Sequence, residues 1–128
     1  MDLDIIMLKD YLACIPDYYT PILITNEAMI ADDPDTVRAF VEASAKGFEF
    51  AIANPGEAAD ILLDANPDLD AALVQASQEW LAGEYQAEAE QWGVQSGDVW
   101  QGYADFLIDN EIIDSFDGAG AYTNDFLP

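Results

Sequence analysis

Three times between residues 33 and 67 an Asp or Asn stands directly before a Pro: Asp33-Pro34, Asn54-Pro55 and Asn66-Pro67. The Asx oxygen can accept from the unbonded amides of a first helical turn, and Pro, with no N–H and φ near −65°, suits the first helical position. The pattern therefore predicts three consecutive helices joined by tight corners, over about 34–53, 56–65 and 68–82, the last stopping at Gly83. In the first, Val37, Phe40, Val41, Ser44, Phe48, Ala51 and Ile52 share a stripe that must face a core. Arg38, Glu42 and Lys46, four apart on another side, predict a charge ladder worth about 0.2–0.5 kcal/mol per pair. In the second, Glu57 is placed to reach back to the cap, and Ala59, Leu62 and Leu63 face inward. The third predicts a buried face of Leu69, Leu73, Ala76 and Trp80. Two more helices follow: a short one over 85–91, and one over 97–110 with Val99, Tyr103, Phe106 and Leu107 as its stripe.

The front of the chain has a different period. Apolar runs at 3–8 and 21–25, bounded by breakers, predict two short strands. Between them Pro16 stiffens a loop carrying Asp17, Tyr18 and Tyr19. Two amphipathic rings and one acid on such a loop suit a flat, polar heterocycle, held by stacking and hydrogen bonds; the competing reading is that tyrosines beside a strand simply pack. The tail from Asp117 is loosened by Gly118 and Gly120 but ends on Phe126 and Leu127, which need a surface to dock on. The fold class expected is α+β, predominantly helical, with two short strands and four to five helices in one domain over residues 1–128.

Charge narrows what such a chain can do. Twenty-six acids against Lys9, Arg38 and Lys46 leave a net charge of −23, which excludes nucleic acid, anionic membrane surfaces and phosphate-rich ligands as partners. Disorder, the usual companion of such acidity, goes with few aromatics, whereas six Phe, six Tyr and three Trp argue for a folded chain. So many carboxylates repel one another unless salt screens them, and at 1 M salt the Debye length is only about 3 Å. This predicts a protein adapted to a salt-rich, halophilic setting. The acidic Met1-Asp2-Leu3-Asp4 lacks the basic start of a secretory signal, and no apolar run is long enough to span a bilayer.

Catalytic and metal chemistry find little footing. There is no histidine, so Ser–His and Cys–His nucleophiles and histidine-bearing zinc sites fall away. A calcium-loop reading of Asn66-Pro67-Asp68-Leu69-Asp70 fails because Gly is missing at its sixth position and Ser77 stands where a bidentate Glu is required; a helix cap is the plainer reading. Glu84, Glu88 and Glu90 read as a solvated face, Cys14 as a small buried residue, and Trp80, Trp92 and Trp100 as core anchors. No catalytic residue, metal or cofactor is expected, and the chain is not expected to be an enzyme.

A resemblance is carried by Ile15-Pro16-Asp17-Tyr18-Tyr19-Thr20-Pro21-Ile22-Leu23-Ile24-Thr25-Asn26-Glu27. This segment resembles the (Val/Ile)-Pro-Asp-Tyr-Tyr loop, apolar strand and Thr-Asn/Ser-Glu turn of NMT1/THI5-like substrate-binding proteins of ABC transporters. Further similar segments follow in order at 45–52, 54–62, 85–93 and 122–128. Cys14 stands where relatives usually have Gly.

The resemblance implies the C-terminal portion of a type II periplasmic-binding fold, whose two lobes close on a ligand at a hinge. It implies a solute-binding role, for a thiamine pyrimidine precursor or a similar small nitrogen heterocycle, in an extracytoplasmic or cell-surface setting. An N-terminal lobe from elsewhere and an ABC permease are the implied partners. Asp17, Tyr18 and Tyr19 are the implied ligand contacts. The alternative is a truncated helical structural or interaction protein without ligand. Strands deprived of sheet neighbours also predict self-association through exposed edges.

Overall fold

The computed structural model describes residues 4–128, the side chain of Ala119 excepted. A single 3-10 turn at Leu8–Tyr11 is followed by six α-helices: α1 (Glu27–Asp32), α2 (Pro34–Ala53), α3 (Pro55–Ala65), α4 (Ala71–Ala82), α5 (Gly97–Asp109) and α6 (Gly118–Ala121). They divide into two compact units. One comprises residues up to Ile24 with Gln95–Thr123, the other Thr25–Val94 with Asn124–Pro128.

No β-strand forms among the described residues. The strand expected at 3–8 is irregular from Asp4 to Met7 and becomes the 3-10 turn at Leu8; Leu3 lies outside the described residues. The strand expected at 21–25 also stays irregular. A ladder satisfies its amides only through a neighbouring segment, so an apolar, β-branched run with no partner has no sheet to join. Ile24 is accordingly 86% exposed and Ile5 77%.

The second unit follows the predicted helices, with shifted caps. Asp33 caps α2 doubly: Oδ1 accepts from the Thr36 amide at 3.2 Å and Oδ2 from the Thr36 hydroxyl at 2.7 Å. Asn54 makes no side-chain bond to the start of α3, and its Nδ2 donates back to the Phe50 carbonyl at 3.2 Å, so it closes α2. The helix expected from residue 68 begins at Ala71, because Asn66 is spent on the end of α3, bonding the Leu62 carbonyl, and Asp70 supplies the cap. A helix unforeseen in the sequence, α1, is capped by Asn26 Oδ1, which accepts from the Met29 amide at 2.8 Å.

Packing is where expectation and structure part most clearly. Ala45, Ala59 and Ala104 are the buried apolar residues among those described, at 2%, 1% and 3% exposure, so helices approach over small side chains. On α2 the expected stripe is half-buried except for Phe40, which is 61% exposed. On α4 the expected inner face is turned out: Leu73 is 69% exposed and Trp80 55%. Gln78 faces inward instead, its Nε2 donating to the Ala51 carbonyl at 3.3 Å and its Oε1 accepting from the Tyr85 hydroxyl at 2.9 Å. A long polar group satisfied at both ends can occupy such a position at little cost, whereas an unpaired one could not.

The helix expected at 85–91 is a run of turns. Ala87 adopts φ +47°, outside the helical region, and Glu84 and Glu88, four apart, would repel on a helix. The segment is held by its rings: Phe48 stacks on Trp92 with centroids 4.6 Å apart and meets Tyr85 edge-on at 5.1 Å. The charge ladder is half present. Lys46 pairs with Glu42 at 2.7 Å, while Arg38 donates to the Asp125 carbonyl at 2.9 Å and lies 5.3 Å above the Phe126 ring. Among the described residues no helix is long and apolar enough to cross a membrane.

Candidate functional site

In the first unit α5 organises the loop that the sequence singled out. Ser96 caps α5, its Oγ accepting from the Asp98 amide at 3.2 Å. The Ser96 amide itself donates to Tyr19 Oη at 2.7 Å. One turn into the helix Trp100 lies 6.2 Å from the Tyr19 ring, and its Nε1 donates to Gln95 Oε1 at 2.8 Å. Phe116 and Tyr122 lie near-parallel to Trp100, at 6.2 and 6.0 Å. Farther along, Tyr103 stacks under Tyr18 with centroids 4.9 Å apart and rings inclined by 25°, and Phe106 continues the row. The predicted stripe of α5 is thus half-buried, with Tyr103 and Phe106 supplying its rings.

The three candidate residues are divided by this arrangement. Asp17 and Tyr18 line a concavity of about 60 Å³ together with Lys9 and the apolar Leu8, Leu12, Ile15 and Pro16. Tyr19 is held away from that wall by its bond to Ser96 and its contact with Trp100. Asp17 Oδ1 accepts from the Tyr18 amide at 3.0 Å, which braces the loop. Tyr18 is 37% exposed although its ring is stacked, so it is both a packed and an accessible ring. Lys9 was the residue not anticipated. It lines the same concavity as Asp17 from the 3-10 turn, and nothing in its spacing signals that.

The concavity combines a cation, an acid and an aromatic edge on an apolar floor, the polar and apolar mix that small-molecule sites use. Its volume is that of a couple of water molecules and falls well short of the ~300 Å³ at the low end for ligand pockets.

A larger dish of about 230 Å³ lies in the second unit, lined by Ser44, Gly47, Phe48, Ala51 and Tyr85. Its polar groups are turned away, Ser44 Oγ donating to the Phe40 carbonyl at 2.9 Å and Tyr85 to Gln78, so it offers a ligand little beyond an apolar surface. Cys14, expected to be buried, is exposed. Trp92 and Trp100 are half-buried, whereas Trp80, expected as a core anchor, is 55% exposed. Among the described residues no cluster of three or more His, Cys, Asp or Glu side chains could hold a metal ion. The Glu42 carboxyl is held below its ordinary value, first by the Lys46 hydrogen bond and then by its charge, and Lys46 is raised in return.

Comparison with known proteins bears on the same segment. Residues 1–58 match the family described as NMT1/THI5 like, a stretch containing the whole loop. The chain is 34% identical over 65 residues to the formylaminopyrimidine-binding protein of Halalkalibacterium halodurans, a match covering 51% of this chain and 20% of that protein. It is 31% identical over 114 residues to the riboflavin-binding protein RibY of Chloroflexus aurantiacus, covering 83% of this chain and 32% of that one. The chain therefore spans at most about a third of the length of these relatives.

Proposed function

Since residues 1–58 match the NMT1/THI5-like family and the curated relatives are binding proteins, we propose that this chain is the C-terminal portion of the solute-binding component of an ABC importer. The solute proposed is a thiamine pyrimidine precursor or a similar small nitrogen heterocycle. The family is one of extracytoplasmic binding proteins, and the relatives carry the names of binding proteins, not of enzymes. The observation that supports the reading is the Asp17–Tyr18–Lys9 wall: an accessible ring for stacking, an acceptor for an exocyclic amine and a donor for a ring nitrogen or carbonyl. Because the wall is small, the rest of the pocket comes in this reading from further polypeptide equivalent to the relatives' first lobe. The wall then sits at the edge of the cleft.

The test is calorimetric titration in molar KCl of this chain, alone and joined to a first lobe, against thiamine-pathway pyrimidines and riboflavin. Heat with a pyrimidine only in the joined protein, weakened roughly tenfold by Tyr18→Ala, is the expected outcome. Absence of binding to every heterocycle in the joined protein would end the reading. Full binding by Tyr18→Ala would move the site elsewhere.

A further inference from the structure

The chain passes between its two units at residues 24–25, 94–95 and again at 123–124, where the last five residues return to the second unit. Those five are tied down at both ends. Arg38, the only arginine in the sequence, donates Nη1 to the Asp125 carbonyl at 2.9 Å, and its guanidinium lies 5.3 Å over the Phe126 ring. Gln91 Nε2 donates to the Pro128 carbonyl at 2.8 Å. Between these points Leu127 closes on Gly93, where a Cβ would stand 2.9 Å from Leu127 Cδ2. Gly93 also has φ +86°, so its missing side chain serves both the turn and the approach of the tail. The Leu127 amide bonds the Asn124 carbonyl at 3.2 Å, which gives the segment a turn of its own.

From this geometry we infer that Asn124–Pro128 is a latch. It is a separable strap of the second unit, held on α2 and the Gln91–Gly93 turn by Arg38 and Gln91. The choice of partners suits a chain of net charge −23. Arg38 is spent on a neutral carbonyl and a ring face, contacts fixed by short-range geometry, whereas an exposed ion pair is screened by salt. The latch stays fastened in the same salt that screens the carboxylates. Its release leaves the three long helices of the second unit intact, because the strap caps none of them.

Amide hydrogen exchange read by mass spectrometry or NMR in molar KCl tests this on the whole chain. Arg38→Gln speeds exchange at Leu127 by roughly tenfold, the scale expected for losing a hydrogen bond to a charged group, and Gln91→Ala, which removes a neutral one, by roughly fivefold, while amides in the middle of α2 and α3 keep their protection. Arg38→Lys, which keeps the charge but not the planar face, falls between Arg38→Gln and wild type. Unchanged exchange at Leu127 in Arg38→Gln overturns the latch. Equal acceleration across α2, α3 and the tail also overturns it, since Arg38 would then be holding the unit as a whole. Gly93→Ala provides a second route that leaves Arg38 in place: it should free Leu127 while α2 stays protected, and a fully protected tail in that variant counts against the seat described.

Discussion

Ala59 is the most enclosed residue of α3, at 1% exposure, and the helices on either side come together over it. Replacing it by Leu adds three carbons with nowhere to go. In a free site they would gain about 0.8 kcal/mol per methylene, but forced into a filled interior they cost typically 1–3 kcal/mol. For a unit of 60–100 residues each kcal/mol moves the midpoint by roughly 4–8 °C, so Ala59→Leu should lower it by about 4–24 °C. The companion variant is Leu73→Gln, at a position 69% exposed, where surface substitutions stay within about 0.5 kcal/mol and the shift should be under about 4 °C. Circular dichroism at 222 nm during heating in molar KCl measures both. The reasoning fails if the order is reversed, with Leu73→Gln the more damaging of the two. That result would mean that the Leu73–Trp80 side of α4 is covered in solution and that α3 has room at Ala59.

The other expectations concern caps, charge and salt. Asp33→Ala should destabilise the second unit by about 1 kcal/mol, since it removes both bonds to Thr36, and Asp33→Asn by less; urea midpoints compare them. Heating from 0.1 M to several molar KCl should raise the midpoint strongly, and a flat response would leave the carboxylate-repulsion account without support. Sedimentation over the same series should show dimers or larger species as repulsion is screened, given the exposure of Leu73, Trp80 and Ile24. A single monomeric boundary at high salt would contradict this. The Glu42–Lys46 pair carries a pH signature. Glu42, held low, contributes stability above the unfolded carboxyl pKa of about 4.3 and loses it as pH falls through its folded value. Lys46, held high, contributes below its unfolded pKa and loses it as pH rises through its folded value. Glu42→Gln should therefore differ from wild type at neutral pH and converge with it in acid, and thermal midpoints across pH 2–7 would read this.

The amino-acid order by itself settled what is local. Pro34 and Pro55 at first helical positions gave α2 and α3 their starts, Ser96 did the same for α5, and the ring-bearing stripe of α5 followed from its period, because capping and periodicity act over a few residues. The loop from Pro16 to Tyr19 stood out by composition, but which of its two rings stays accessible did not show there. Packing decided the rest. Whether Asn66 opens a helix or closes one depends on which neighbouring carbonyl it reaches. Which side of α4 faces inward was decided by Gln78 finding two partners, and where Arg38 goes by a ring and a carbonyl 87 residues farther along. The runs at 3–8 and 21–25 have the residues of strands, but a strand is a relation between segments, and among the described residues these runs find none to pair with. Lys9 comes to line one concavity with Asp17 and Tyr18 only through the folded turn, for the same reason: proximity across the chain belongs to the tertiary structure.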